Sequence, residues 1–188
     1  MRMPTAQHWL HRARLQDRRS VLIRRVCRHD ALSLQGFVSA LDAQSRYQRF
    51  FIPLRELTAA MLERLTQPDQ RIGCALIALA GREEVAGVVQ YQLIEHNEAE
   101  AAVVVGQRWR RVGLASLLLS DLAIVAAANG VQKVRADILR GNDAAVALAR
   151  NVGCVIDTRV RDAHAVHVVR QIGTRGERTD SGALRSQT

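Results

Sequence analysis

The stretch Val103-Val104-Val105-Gly106-Gln107-Arg108-Trp109-Arg110-Arg111-Val112-Gly113-Leu114-Ala115-Ser116-Leu117 passes from a β-branched run through a short basic loop into helix-forming residues. It predicts a strand, a tight glycine turn and a long helix over residues 114–129, closed by Gly130. A helix start leaves several backbone N–H groups without intrahelical acceptors and carries about half a positive charge, so it suits a pyrophosphate. Gly113 and Ala115 would let phosphate oxygens approach the main chain, Arg110 and Arg111 would add charge, and Ser116 reads as a cap or phosphate contact. Trp109 is expected to pack the loop. A glycine between strand and helix also serves ordinary turn chemistry, and the loop alone leaves both readings open.

Upstream of this junction, residues 21–26 suit a first strand. Asp30 can cap a helix running to about residue 41, and residues 57–66 have helical spacing with Thr58 as a cap. Two helices are therefore expected after the first strand. Residues 74–80 and 84–94 read as strands joined by a tight turn, and residues 99–105 as a fourth strand, in an antiparallel meander. Downstream, residues 131–139 form a fifth strand and residues 142–151 a helix ended by Gly153. One or two final strands fall within 155–169, around Asp162 and Ala163. Residues 1–19 read as a loose N-terminal extension, 20–170 as one domain, and 171–188 as a flexible C-terminal tail.

The bulk properties narrow the function classes. The chain has 188 residues, 48% hydrophobic and 24% charged, in the range of one globular domain. No apolar run approaches the ~20 residues of a membrane span, and charged residues interrupt any N-terminal signal sequence. No membrane partner is expected, and a cytoplasmic location is. Cys27, Cys74 and Cys154 match neither a zinc site nor a redox pair and read as small buried hydrophobes. The histidines lack metal-ligand spacing, so no metal is expected. A net charge of +9 invites a nucleic-acid reading, but Lys133 is the only lysine and the arginines are dispersed. Aromatics are too few for base stacking, which argues against that partner. A homodimer is admitted by these observations without being required.

The segment Arg110-Arg111-Val112-Gly113-Leu114-Ala115 resembles the coenzyme A pyrophosphate loop, [QR]-x-x-G-x-[GA], of the GNAT superfamily of N-acetyltransferases. The likeness continues through AEAAVVV before it, LASLLLSDLAIVAAANGV after it and GNDAAVALARNVG further on. LDAQSRYQRFF, PLREL and AAMLERLTQ are similar to bacterial protein lysine acetyltransferases of the Pat type, and in all about residues 20–170 are covered. The resemblance implies an α/β fold: a mixed six- or seven-stranded sheet, splayed between strands four and five (99–105 and 131–139), with helices on both faces. Acetyl-CoA would lie in that splay as co-substrate. Val103, Val104 and Val105 would run beside its pantetheine, with main-chain groups of Val103 and Val105 pairing with it. The amides of Arg110, Arg111, Val112, Gly113, Leu114, Ala115 and Ser116 would hold the pyrophosphate, and Asn142 would reach the co-substrate from the far side. The implied partner is an amine acceptor, a protein lysine first and a small amine second, and a non-catalytic acyl-CoA-binding sensor is the alternative reading.

Acyl transfer needs a neutral amine, whereas a lysine-like amine has a pKa of about 10.4. Glu100 matches the family's general base, acting directly or through a water. It also reads as a solvated carboxylate at a strand start. Asp137, on the fifth strand, is the rival base and equally reads as a polar residue on a partly exposed face. The tyrosine acid of many GNAT enzymes is replaced by Ala149, a common glycine by Arg111, and the usual aromatic after Gly153 by Cys154, which reads as a packing residue. Arg46, Tyr47 and Arg49 resemble the Pat-type signature S-R-Y-x-R-F and read as anchors of the first helices or as acceptor contacts.

Overall fold

The computed structural model describes residues 9–67, 72–81 and 83–173. Within them the chain runs β1 (Leu10–Arg14), β2 (Ser20–Arg25), α1 (Ala31–Ala40), α2 (Ala43–Phe50), α3 (Ala59–Thr66), β3 (Gly73–Ala80), β4 (Glu84–Glu95) and β5 (Glu98–Val105). It continues through α4 (Leu114–Ala128), β6 (Lys133–Leu139), α5 (Asp143–Asn151), β7 (Val155–Ile156) and β8 (Ala165–Gln171). The strands form one eight-stranded sheet in the order β1-β2-β3-β4-β5-β6-β8-β7. Neighbours are antiparallel except β5 and β6, which are parallel and joined through α4.

The apolar patterns explain the layers. All of β3 is buried, as a continuous apolar strand covered on both faces should be. Cys74, Leu76, Ala78 and Ala80 join the core under α4, whereas Ala75, Ile77 and Leu79 join the core under α1 and α3. Helix α4 buries Leu114, Leu118, Leu122, Val125 and Ala126, each large apolar side chain contributing about 1.5–3 kcal/mol. It lies close to the sheet over Gly87, where an added Cβ would stand 3.1 Å from the Val104 carbonyl oxygen and 3.2 Å from Leu118. Smaller packing, around Ile138, Ala149 and Val168, seats α5 on β6 and β8.

Several expectations change. The sheet has eight strands rather than six or seven, because residues 10–14 of the segment expected to be loose pair with β2 and β7 adds a two-residue edge. Strand β1 is held by more than its ladder: His11 Nε2 lies 2.7 Å from Oδ2 of Asp121, a carboxylate buried on the inner face of α4. At the other end Gln171 belongs to β8, and Ile172 is buried. Residues 1–8 and 174–188 lie outside the described residues. Three helices, not two, follow β2. The additional one, α2, starts where Asp42 accepts the Ser45 N–H at 2.8 Å. Cys27 is exposed rather than buried, because it precedes the turn at Arg28 and its N–H donates to Asp30 at 2.8 Å. Cys74 is buried and Cys154 half-buried.

Candidate active site

Strands β5 and β6 pair at only three positions, Glu98 with Lys133, Ala99 with Val134 and Glu100 with Arg135. Both strands continue, to Val105 and Leu139, without further pairing between them. The β6-facing edge of β5 is therefore open from Ala101 onward. Because the strands are parallel, the helices that follow them, α4 and α5, both start at this open end.

The start of α4 is built for an anion. Gly113 is its N-cap, in the left-handed region at φ 86°, and no side chain caps it. Arg111 is also left-handed, at φ 59°. Leu117 is the first residue whose N–H enters the helix ladder, donating to the Gly113 carbonyl. None of the main-chain N–H groups of Arg111, Val112, Gly113, Leu114, Ala115 and Ser116 has an acceptor among the described residues. Successive unpaired amides at a helix start form an anion-binding concavity, and the residues fit the pyrophosphate of coenzyme A.

Residues that sequence reasoning passed over hold this loop in place. The turn between β1 and β2 lies against it: the Gln16 N–H donates to the Val112 carbonyl at 3.2 Å. The Gln16 side chain stands 3.3 Å from where a Gly113 Cβ would be. Arg19 donates to the Arg108 carbonyl at 2.8 Å, and its guanidinium stacks 3.9 Å over the Trp109 ring. Trp109 is buried, with Nε1 donating to Glu84 at 3.0 Å, which is the packing role expected of it. The Arg110 guanidinium, expected to add charge beside the loop's amides, donates to Ser45 Oγ at 2.6 Å and Asp42 Oδ2 at 3.2 Å. The hydrogen bonds from Ser45, with Arg110 adding to them, hold the Asp42 carboxyl at about 2. Arg110 is thus a strut between the loop and α2, while the exposed Arg111 makes no side-chain hydrogen bond or ion pair among the described residues.

On the far side of the gap, Asn142 caps α5: its Oδ1 accepts the Ala145 N–H at 3.2 Å. The side-chain nitrogen makes no hydrogen bond among the described residues and is left as a donor. Ser116 is not a cap, since Gly113 occupies that position. Ala149 is buried against Ile138 and Val168, so no proton donor stands there. Burial pushes the Cys154 thiol up, which keeps it protonated and unreactive.

The two candidate bases share one face of the sheet. Along β5, Ala99, Ala101, Val103 and Val105 turn to the core under α4, and Val104 turns to the core under α1 and α3. Alternation puts Glu100 on that second face. In β6, Val134, Ala136 and Ile138 pack on the α4 and α5 side, which puts Asp137 on the same face as Glu100. Their surroundings differ. Glu100 is exposed and makes no hydrogen bond or ion pair among the described residues. Asp137 is engaged: its Oδ1 lies 2.6 Å from His167 Nδ1, on the neighbouring strand β8. The His167 Nε2 is buried without a hydrogen bond, 3.5 Å from Asp162. His167 was signalled only by alternation in β8, which does not reveal its cross-strand partner.

The S-R-Y-x-R-F residues divide. Arg46 is an anchor, donating to the carbonyls of Leu54 at 2.7 Å, Ser39 at 3.2 Å and Leu41. Tyr47 is exposed. Arg49 is half-buried and lines a cavity of about 440 Å³ between the first helices and the sheet.

A sheet parted between two parallel strands, with a helix start suited to an anion beside the gap, is an α/β architecture that can hold an anionic co-substrate. The chain belongs to the acetyltransferase (GNAT) family, whose model matches residues 37–154, and is an acetyl-CoA-dependent acyltransferase. It is similar to acetyltransferase PA5475 of Pseudomonas aeruginosa, 29% identical over 131 residues that cover 68% of this chain and 69% of that protein. The GNAT domain of PAT from S. lividans superposes with a TM-score of 0.83 at 26% identity, covering 90% of this chain and 99% of that one. A phosphinothricin acetyltransferase from Sinorhizobium meliloti, in complex with AcCoA, shares the fold with a TM-score of 0.68 at 18% identity, covering 86% and 94%. Among the described residues no helix is long and apolar enough to cross a membrane.

Proposed function

We propose that the chain transfers the acetyl group of acetyl-CoA to a primary amine, with a protein lysine as the favoured acceptor, by direct attack in a ternary complex. The observation that carries this reading is the run of six amides, residues 111–116, without an acceptor among the described residues at the open end of the β5–β6 gap. Acetyl-CoA supplies the activated thioester. The amides of residues 111–116 hold its pyrophosphate, the open edge at Val103 and Val105 pairs with the pantetheine, and the Asn142 amide nitrogen donates from across the gap. Glu100 takes the proton of the attacking amine, directly or through one water. Its freedom from ion pairs supports that assignment over Asp137, whose carboxylate is occupied by His167. A thiol leaving group has a pKa near 8.5, so its departure does not require an acid at Ala149.

The S-R-Y-x-R-F segment and the likeness to PAT from S. lividans support the lysine acceptor. The cavity beside Gln92, the cross-strand partner of Glu100, favours a small amine as the second reading. Free thiol release from acetyl-CoA, measured over a panel of peptides and small amines, tests both. Glu100→Gln should lower kcat by about 100-fold or more while acetyl-CoA affinity stays unchanged, and Asp137→Asn should cost far less. Comparable losses of turnover and co-substrate affinity in Glu100→Gln would sink the base assignment. Tight acetyl-CoA binding without thiol release on any amine would make the chain a binding module instead.

A further inference from the structure

Arg49 differs from Arg24, Arg46 and Arg110, whose guanidinium groups all find acceptors in the fold. Arg24 forks onto both oxygens of Asp30 at 2.7 and 2.6 Å, Arg110 reaches Asp42 and Ser45, and Arg46 spans three carbonyls. The Arg49 guanidinium has no hydrogen bond or ion pair among the described residues. Its guanidinium carbon lies 4.8 Å from the centre of the Phe50 ring. Burial draws its pKa down to about 10, with Glu100 the charge that opposes the shift; it remains a cation at neutral pH. A half-buried guanidinium with no hydrogen-bond acceptor and no carboxylate within ion-pair distance among the described residues leaves its donor fork open to an anionic ligand.

The setting says what kind of ligand. The guanidinium lines the cavity of about 440 Å³, which it shares with the amide side chains of Gln90 and Gln92. The other charged side chains lining it, Glu63 and Arg64 of α3, are exposed. Gln92 is directly opposite Glu100 across the β4–β5 ladder, so the two side chains share a face. One molecular face thus presents a carboxylate assigned to receive an amine proton and, beyond ion-pair distance from it, an unpaired planar cation. Guanidinium groups bind carboxylates through two parallel N–H donors.

We infer that Arg49 binds a carboxylate of the acceptor, so that the acceptor presents its amine to Glu100 and an anionic group to Arg49. This rests on the acetyl-transfer reading for the role of Glu100. The carboxylate is either the α-carboxylate of a free amino acid or the side chain of an acidic residue beside a target lysine.

Two acceptor pairs separate these sources: lysine against lysinamide, and a peptide with lysine next to aspartate against the same peptide with asparagine. The quantity compared is the ratio of kcat/KM within each pair, for wild type, Arg49→Gln and Arg49→Lys. In wild type one pair favours the carboxylate member by about ten-fold or more, and in Arg49→Gln that ratio falls to within about two-fold of unity. Arg49→Lys, which keeps the charge without the fork, lies between. The pair that responds identifies the source. Equal ratios in wild type and Arg49→Gln would overturn the inference, as would an equal loss for every acceptor or a loss of acetyl-CoA affinity. Calorimetric binding of the N-acetylated members of each pair, with coenzyme A present, gives a readout independent of turnover. Selective binding lost in Arg49→Gln, without turnover in wild type, retains the Arg49 site and rejects the transfer reaction. Absence of selective binding rejects the Arg49 site whatever the turnover.

Discussion

Asp42 couples the first helices to the loop at the start of α4, and removing it should expose two separate contributions. Its carboxylate caps α2 through the Ser45 N–H at 2.8 Å, accepts the Ser45 hydroxyl at 2.6 Å, and meets Arg110 at 3.2 Å. Those bonds, Ser45 first, lower its pKa from 3.8 to about 2. A depression of that size corresponds to roughly 2.5 kcal/mol if fully transmitted to stability. The side chain is 42% exposed, and screening reduces the usable part to about 1 kcal/mol. Loss of an N-cap costs about 1 kcal/mol in addition. Asp42→Ala should therefore lose about 2 kcal/mol, and Asp42→Asn, which still caps, about 1 kcal/mol. In thermal unfolding each kcal/mol lowers Tm by roughly 2–4 °C for a chain of this size. Because the folded pKa is depressed, the charge-dependent part is complete above about pH 4 and disappears as pH falls through about 2. Urea unfolding followed by circular dichroism, at neutral pH and downward, should show wild type and Asp42→Asn converging only in that acid window. A gap that persists through it would refute the carboxylate's role, and an Asp42→Ala protein as stable as wild type would refute the cap itself.

Three further perturbations test the site and its supports. Gly113→Ala places a Cβ on a residue at φ 86°, costing about 1–2 kcal/mol and narrowing the anion cradle; calorimetry should show weakened acetyl-CoA binding, and unchanged affinity would remove the loop from the site. His11→Ala strands the buried Asp121 carboxylate and should cost about 1–3 kcal/mol in urea unfolding, with much of the loss recovered in His11→Ala/Asp121→Leu; equal instability of the double variant would mean the pair itself is not the cause. Arg111→Gly relieves a left-handed residue but frees the unfolded chain, so stability should stay within about 1 kcal/mol. The same variant should bind acetyl-CoA less tightly at low salt and converge with wild type at high salt; equal affinity at every salt concentration would leave Arg111 a backbone role only.

What the sequence determined by itself is what local periodicity records. The apolar run of β3, the helical spacing of α4 and the Thr58 cap each follow from residues within a few positions of one another. So does the strand–Gly113–helix junction, because a left-handed turn and a helix start are local backbone events. The tertiary structure decided everything that depends on residues brought together across the sheet. Strand β1 carries too little apolar surface to announce itself, and its pairing depends on β2 and on Asp121, which lies 110 positions from His11. Arg110 meets Asp42 across 68 positions, so its charge reads along the chain as available to phosphate while packing uses it as a strut. The register of β6 against β8 joins Asp137 to His167, and the short β5–β6 ladder leaves the gap itself. Arg49 shows the same limit: its place in a motif is written in the sequence, but only the folded chain sets its half-buried cation beside a cavity with no ion-pair partner among the described residues.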